Sequence, residues 1–135
     1  MTTPFDDPQA ELAWMFLQSL CEDGDLDEGL ELLSDDFTYW NNTTRTTTKK
    51  SDLRQLWDRR KTIVGLNYDL IGCLNEGRNV VVEAQAEGVT TGGVRYDSPM
   101  VFIFETNDGL ITSLREYGDT QLNITAFGVQ PATPR

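Results

Sequence analysis

After Pro8 the apolar residues Leu12, Met15, Phe16 and Leu20, with Ser19 beside them, recur at spacings of three and four. That rhythm puts them on one face of an amphipathic helix, which stops near Asp23-Gly24. Asp25 is placed to cap a second short helix over 26–33, whose Leu26, Leu30 and Leu33 share a face. Ser51 is placed to cap a third, with Leu53, Leu56 and Trp57 turned inward and Arg59-Arg60-Lys61 at its C-terminal end, where cations meet the negative pole of the helix. From residue 66 the period changes to two, and 66–73, 80–89, 95–106 and 110–119 read as strands. Asn107-Asp108-Gly109 marks a hairpin, because these residues accept the positive φ that such turns require. Helices followed by an antiparallel meander predict a single α+β domain in which the N-terminal helices cover one face of a curved antiparallel sheet. The core is expected over about 9–120, with a Thr-rich polar loop at 43–48 and a loosely held tail over 121–135.

Alternation also shows that two strands are apolar on both faces. Met100, Phe102 and Phe104 lie opposite Val101 and Ile103, and Leu110 and Leu114 lie opposite Ile111 and Tyr117. Helices cover only one face, so the other needs a partner, and a homodimer through the convex face is the simplest expectation.

Composition narrows the possible partners. The 135 residues carry 22 Asp and Glu against 11 Lys and Arg, a formal charge of −11. Such a chain repels phosphate backbones and anionic lipid headgroups, so neither nucleic acid nor membrane is an expected partner. The start has no basic segment and no long apolar run, which predicts a cytoplasmic protein. Histidine is absent, which removes the Ser-His-Asp triad, the Cys-His dyad and histidine-bearing zinc sites, and leaves acid and base work to Asp, Glu, Tyr or Lys. Cys21 and Cys73 lack metal or redox spacing and are expected as free thiols. With no Gly-rich phosphate loop after a strand either, neither a metal nor an organic cofactor is expected.

Three groups of residues could carry chemistry. Alternation places Phe37, Tyr39 and Asn41 on one side of a short strand, so Tyr39 and Asn41 form a polar pair that either orients a water or ligand oxygen or satisfies its own hydrogen bonds. Glu116 follows Thr112 and Leu114 on one strand face. If that face is concave, Glu116 is a carboxylate in an apolar pocket, poised as general base or acid; otherwise it is an ion-paired or solvent-facing strand end. Glu83 and Gln85 form a polar row with Glu87 opposite Val82, Ala84 and Ala86, and they serve either in the site or as a solvated face. Around a Glu116 site the expected pocket wall is Trp14, Phe16, Leu56, Trp57, Met100, Phe102 and Leu114, although aromatic residues at helical spacing also serve as plain core.

Gly24-Asp25-Leu26-Asp27, Leu33-Ser34-Asp35-Asp36-Phe37-Thr38, and Asp108-Gly109-Leu110-Ile111 leading to Arg115-Glu116-Tyr117-Gly118-Asp119 together resemble the SnoaL-like and limonene epoxide hydrolase branch of the nuclear transport factor 2-like superfamily. The resemblance spans about 9–120 and implies a small cone, commonly dimeric, in which a cone-shaped curved antiparallel sheet has its concave face covered by the N-terminal helices, with a pocket between sheet and helices that serves many chemistries. It does not imply ketosteroid isomerase chemistry, since the positions of that base and oxyanion hole hold Asn41, Met100 and Phe16. The hydrolase resemblance is closer. Tyr39-Trp40-Asn41 is similar to the Tyr-x-Asn pair that positions water, and Glu116 stands where that branch has its water-activating aspartate, whereas its Arg-Asp pair falls on Glu83 and Gln85. The implied function is a cofactor-independent enzyme, either an epoxide hydrolase-like hydrolase or an isomerase, cyclase or lyase. Its substrate would be a small apolar or aromatic, terpenoid-like molecule, with Glu116 as acid or base and Tyr39 and Asn41 as orienters. The alternative is a non-catalytic binding or dimeric interaction module of the same fold.

Overall fold

The computed structural model describes residues 6–128. Helix α1, Pro8–Ser19, starts where the Asp7 carboxylate accepts hydrogen bonds from the backbone N–H groups of Gln9 and Ala10 at 2.9 and 3.0 Å, with Pro8 in the first turn. Asp25 caps α2, Leu26–Glu31, in the same way through Asp27 N. Between them, any side chain at Gly24 would sit 2.2 Å from the Gln18 carbonyl oxygen, so only glycine lets the chain turn there. The chain continues through β1 (Leu33–Asn41), β2 (Thr47–Lys49), a 3₁₀ turn at Lys50–Asp52, and α3 (Leu53–Asp58). A second 3₁₀ turn, Arg59–Thr62, leads into the long strands β3 (Ile63–Glu76), β4 (Asn79–Thr90), β5 (Arg95–Asn107) and β6 (Leu110–Tyr117). Ser51 lies inside the first 3₁₀ turn and is not a cap.

These strands form one curved, unclosed sheet in the order β2-β1-β6-β5-β4-β3. The sheet is mixed, which corrects the all-antiparallel expectation: β1 returns across the meander to pair in parallel with β6, placing Tyr39 beside Leu114 and Asn41 beside Glu116. Helix α1 packs across β3, β4 and β6, and its Ala13, Phe16 and Leu17 meet an inner sheet face of Phe37, Tyr68, Val80, Val82, Met100, Phe102 and Phe104, all buried. Among the described residues no helix is long and apolar enough to cross a membrane. Cys21 and Cys73 are both free thiols.

Two sequence expectations fail for a local reason each. The tail is not loose at its start: Thr120–Phe127 is a fourth helix, α4, capped by Asp119 through Leu122 N and closed by Gly128 in the left-handed conformation. Residues 129–135 lie outside the described part. In β6 the pairing steps from Glu105 with Ser113 to Thr106 with Ile111, so Thr112 is an extra residue in a β-bulge. A one-residue insertion exchanges the two faces. Ile111 is therefore 0% exposed in the core, not on the convex face as strict alternation required, and Leu110 is 38% exposed. Val101 and Ile103 do face outward and are half-buried. Ile111→Ala is expected to cost about 2–5 kcal/mol through the cavity it leaves, while Leu110→Ala costs under about 1 kcal/mol. Urea unfolding of the two variants checks the bulge, and equal costs would refute it.

Candidate active site

The inner face of β6 ends in a charge. Glu116 is 4% exposed, and an uncompensated carboxylate at that depth would cost several kcal/mol. Its partner comes from the 3₁₀ turn after α3, where the chain bends back towards the sheet: Arg60, 9% exposed, donates from Nη2 to Glu116 Oε1 at 2.5 Å. The other carboxylate oxygen, Oε2, accepts from the Tyr39 hydroxyl at 2.9 Å. Arg60 Nη2 also donates to the Tyr39 oxygen at 3.2 Å, and Nη1 donates to the Tyr68 oxygen at 2.6 Å. Strands β1, β3 and β6 and the 3₁₀ turn thus each supply one side chain to a closed polar cluster. Arg115, the cation next to Glu116 along the chain, is exposed on the outer face and is not its partner.

Electrostatics follow from this geometry. Burial works against the charge of Arg60, but Glu116 and the Tyr68 and Tyr39 oxygens outweigh it, and the guanidinium is held protonated well above its ordinary range. Burial first, and then the negative charge of Glu116, push the Tyr39 hydroxyl well up despite Arg60. Tyr68 is likewise raised by burial, with Arg60 opposing. Both tyrosines therefore stay neutral donors across the physiological range. Each Glu116 carboxylate oxygen keeps a lone pair beyond the one bond it accepts here.

The cluster floors a cavity of about 50 Å³, room for a few waters or the polar end of a ligand. Tyr39, Asn41, Leu56, Trp57 and Glu116 of the sequence-derived set line it, joined by Arg60, Thr43, Thr44, Asn123 and Phe127. Asn41 takes a different part from the orienter expected. Its Oδ1 accepts from the backbone N–H of Thr43 and Thr44 at 3.0 Å each, and from the Thr44 hydroxyl at 3.3 Å, which folds the Thr-rich loop over the cavity. Asn42 then extends the parallel pairing, its side-chain amide exchanging hydrogen bonds with the backbone of Gly118 at 3.1 and 3.2 Å.

Other expected positions lie elsewhere. Glu83 and Gln85 stand on the outer face, because Val82, Ala84 and Ala86 take the inward positions of β4; they are removed from the cluster. Phe16, Met100, Phe102 and Leu114 are fully buried core, with the Phe16 ring 5.2 Å from Trp57 and 6.2 Å from Phe104. Trp14 faces a separate cleft of about 850 Å³ between α1, α2 and the start of β3, rimmed by Glu22, Asp23, Asp25 and Glu28. Among the described residues no three Cys, Asp or Glu side chains converge as metal ligands would. Arg60, Tyr68, Thr43 and Asn123 escaped the sequence reading; the one available signal was that a buried Glu116 demands a nearby cation.

Arg60→Met leaves Glu116 buried without a counter-charge and is expected to lower stability by about 3–5 kcal/mol, whereas Arg60→Met with Glu116→Leu recovers most of that loss. Chemical denaturation of the two variants decides it. Additive losses in the double variant would mean that the two side chains are not coupled.

Comparison with known proteins agrees with this architecture. No curated protein matches in sequence. Among solved structures, a candidate SnoaL-like polyketide cyclase from Jannaschia sp. CCS1 is similar with a TM-score of 0.74 at 19% identity, over 97% of this chain and 99% of that one. An LEH-like epoxide hydrolase from M. tuberculosis has a TM-score of 0.72 at 22% identity, over 89% of each chain. A hypothetical protein of ketosteroid isomerase-like fold from Catenulispora acidiphila, in complex with trimethylamine, has a TM-score of 0.74 at 20% identity, over 96% of each chain. At such identities these likenesses speak for the fold. The model of the SnoaL-like domain matches residues 15–114, most of the chain and every element from α1 into β6, and the protein therefore belongs to the SnoaL-like domain family.

Proposed function

We propose that this protein is a small-molecule enzyme that works by carboxylate proton transfer, with Glu116 as the base, Arg60 and Tyr39 as the groups that orient it, and a small, uncharged, largely apolar substrate. The observation that carries this reading is a carboxylate 4% exposed at the floor of a cavity, tied to Arg60 at 2.5 Å and to Tyr39 at 2.9 Å. A structural ion pair gains nothing from a cavity beside it, whereas a base needs one. Leu56, Trp57 and Phe127 line the remaining wall and suit an apolar body. Within this class the epoxide hydrolase-like reaction is the best supported: Glu116 takes a proton from water as the water oxygen attacks a ring carbon, and the carbon–oxygen bond breaks with its electron pair left on the ring oxygen. That alkoxide takes the proton back from Glu116, directly or through water, to give a diol. The likeness to an LEH-like epoxide hydrolase supports it, and likeness to a candidate polyketide cyclase supports a cyclase instead. Glu83 and Gln85 take no part. The rival reading is a binding module without chemistry, favoured by the engagement of both carboxylate oxygens.

Screening a set of small epoxides for diol formation, followed by Glu116→Gln, separates the two. The variant keeps shape and removes the proton acceptor, and is expected to lower the rate by about two to four orders of magnitude. Asn41→Ala costs less, because Asn41 shapes the loop and accepts no proton from the substrate. Full turnover by Glu116→Gln would end the catalytic assignment.

The outer sheet face supports a homodimer. Registers align Leu74, Val81, Ile103, Arg115 and Trp40 in one row across five strands, with Glu83, Val101 and Tyr117 in the next. This surface mixes apolar residues with both charge signs, so a two-fold axis can set Arg115 of one protomer against Glu83 of its partner. Light scattering on a sizing column is expected to give twice the chain mass, and Ile103→Arg to give a single chain. A wild-type monomer at micromolar concentration rules the dimer out.

A further inference from the structure

The cavity has a second polar wall, opposite in character to the first. Helix α4 packs on the core through the partly buried Leu122, Ala126 and Phe127, yet its one fully buried residue is polar: Asn123 is 7% exposed. Its Oδ1 accepts from the Tyr96 hydroxyl at 2.6 Å, and its Nδ2 donates to Thr43 Oγ1 at 3.0 Å. Thr43 is 4% exposed and, like Asn123, lines the cavity.

The direction of this chain follows from counting donors. A tyrosine or threonine hydroxyl carries one hydrogen, and a buried hydrogen without an acceptor is costly. Tyr96 is 3% exposed and does not line the cavity, so its hydrogen has a single destination among the described residues, Asn123 Oδ1. Burial holds that hydroxyl protonated, pushing it up to about 12, so it donates throughout the physiological range. Turning the amide over would strand the Tyr96 hydrogen inside the protein. With the amide fixed, Thr43 Oγ1 is an acceptor for Asn123, and its own hydrogen meets no acceptor among the described residues. The open space available to that hydrogen is the cavity.

We infer that Tyr96, Asn123 and Thr43 form a one-way hydrogen-bond relay that presents the Thr43 hydroxyl to an acceptor oxygen on the ligand, and so selects ligands bearing a carbonyl, ether or epoxide oxygen over hydrocarbons of the same shape. The inference rests on the proposed site and names its ligand class. Thr43 and Asn123 are specificity-determining residues here, and Tyr96 is a positioning residue. Asn41 takes part indirectly, because the turn it caps is what holds Thr43 in place.

Two probes of one shape test this on the full chain: cyclopentanone and methylenecyclopentane, which differ by an oxygen in place of a methylene group. Proton–nitrogen NMR titrations give both dissociation constants and follow the Asn123 side-chain amide and the Trp57 indole. The wild type is expected to hold the ketone about fivefold more tightly, the worth of one neutral hydrogen bond, and the Asn123 amide to shift with the ketone alone. Thr43→Val keeps the shape, loses the hydroxyl and brings the ratio to about one, while Thr43→Ser restores it. Tyr96→Phe frees the amide to turn and lowers the ratio with Thr43 intact. Equal wild-type affinity for the two probes overturns the relay, as does an undiminished ratio in folded Thr43→Val; if that variant does not fold, an undiminished ratio in Tyr96→Phe overturns it instead. Binding is read here and turnover is not, so the two readings fail separately. Glu116→Gln that still turns over epoxide refutes the base and leaves the ketone preference standing, whereas a lost preference beside Glu116-dependent turnover refutes the relay alone.

Discussion

One buried ion pair organises this molecule. Glu116 and Arg60 are both almost fully enclosed, and at a separation of 2.5 Å each removes the reason the other could not be there. Opposite charges about 4 Å apart attract by about 4 kcal/mol at the effective dielectric of a protein, comparable to the several kcal/mol that desolvating one ion costs. The pair is therefore tolerable only as a complete set, with Tyr39 and Tyr68 satisfying the guanidinium and carboxylate atoms left over. That requirement brings together two strands on one side of the sheet's midline, β1 and β6, with β3 at its far edge and the turn after α3. It also accounts for the mixed pairing: only a parallel β1 beside β6 sets Tyr39 and Asn41 next to Leu114 and Glu116.

The same pair divides the interior. Beneath α1 the Phe16 ring packs against Phe104, which stacks on Phe102, and all three are fully buried. Towards the Thr-rich loop and α4, polar side chains replace apolar ones, and close packing gives way to a small cavity. Its floor is an anion held by donors, and its opposite wall is a relay that ends in a donor. A neutral ligand with an apolar body and one oxygen complements both walls.

Some of this was legible along the chain because it rests on near-neighbour chemistry. Asp25 caps α2, the change of period at residue 66 announces the four long strands, and Asn107-Asp108-Gly109 forms the hairpin with Asp108 and Gly109 both at positive φ. Tyr39 and Glu116 could be singled out because each is a polar residue on an otherwise apolar strand face. Helix α4 was not legible: it is eight residues long, and its inward face of Leu122, Ala126 and Phe127 is only partly buried and is interrupted by the buried Asn123. The bulge at Thr112 was equally hidden, since an inserted residue leaves the local composition unchanged while exchanging the faces of Leu110 and Ile111.

By itself the sequence determined the kinds of chemistry open to this protein. Without histidine, proton transfer falls to carboxylates, hydroxyls and lysine. It determined the elements as well, since helix and strand periods are properties of a few consecutive residues. Tertiary structure alone decided which carboxylate is buried, which of eleven basic residues answers it, and which threonines of a polar loop face the cavity. Those choices depend on pairings between residues 56 and 80 positions apart, and no local pattern carries the register that makes them.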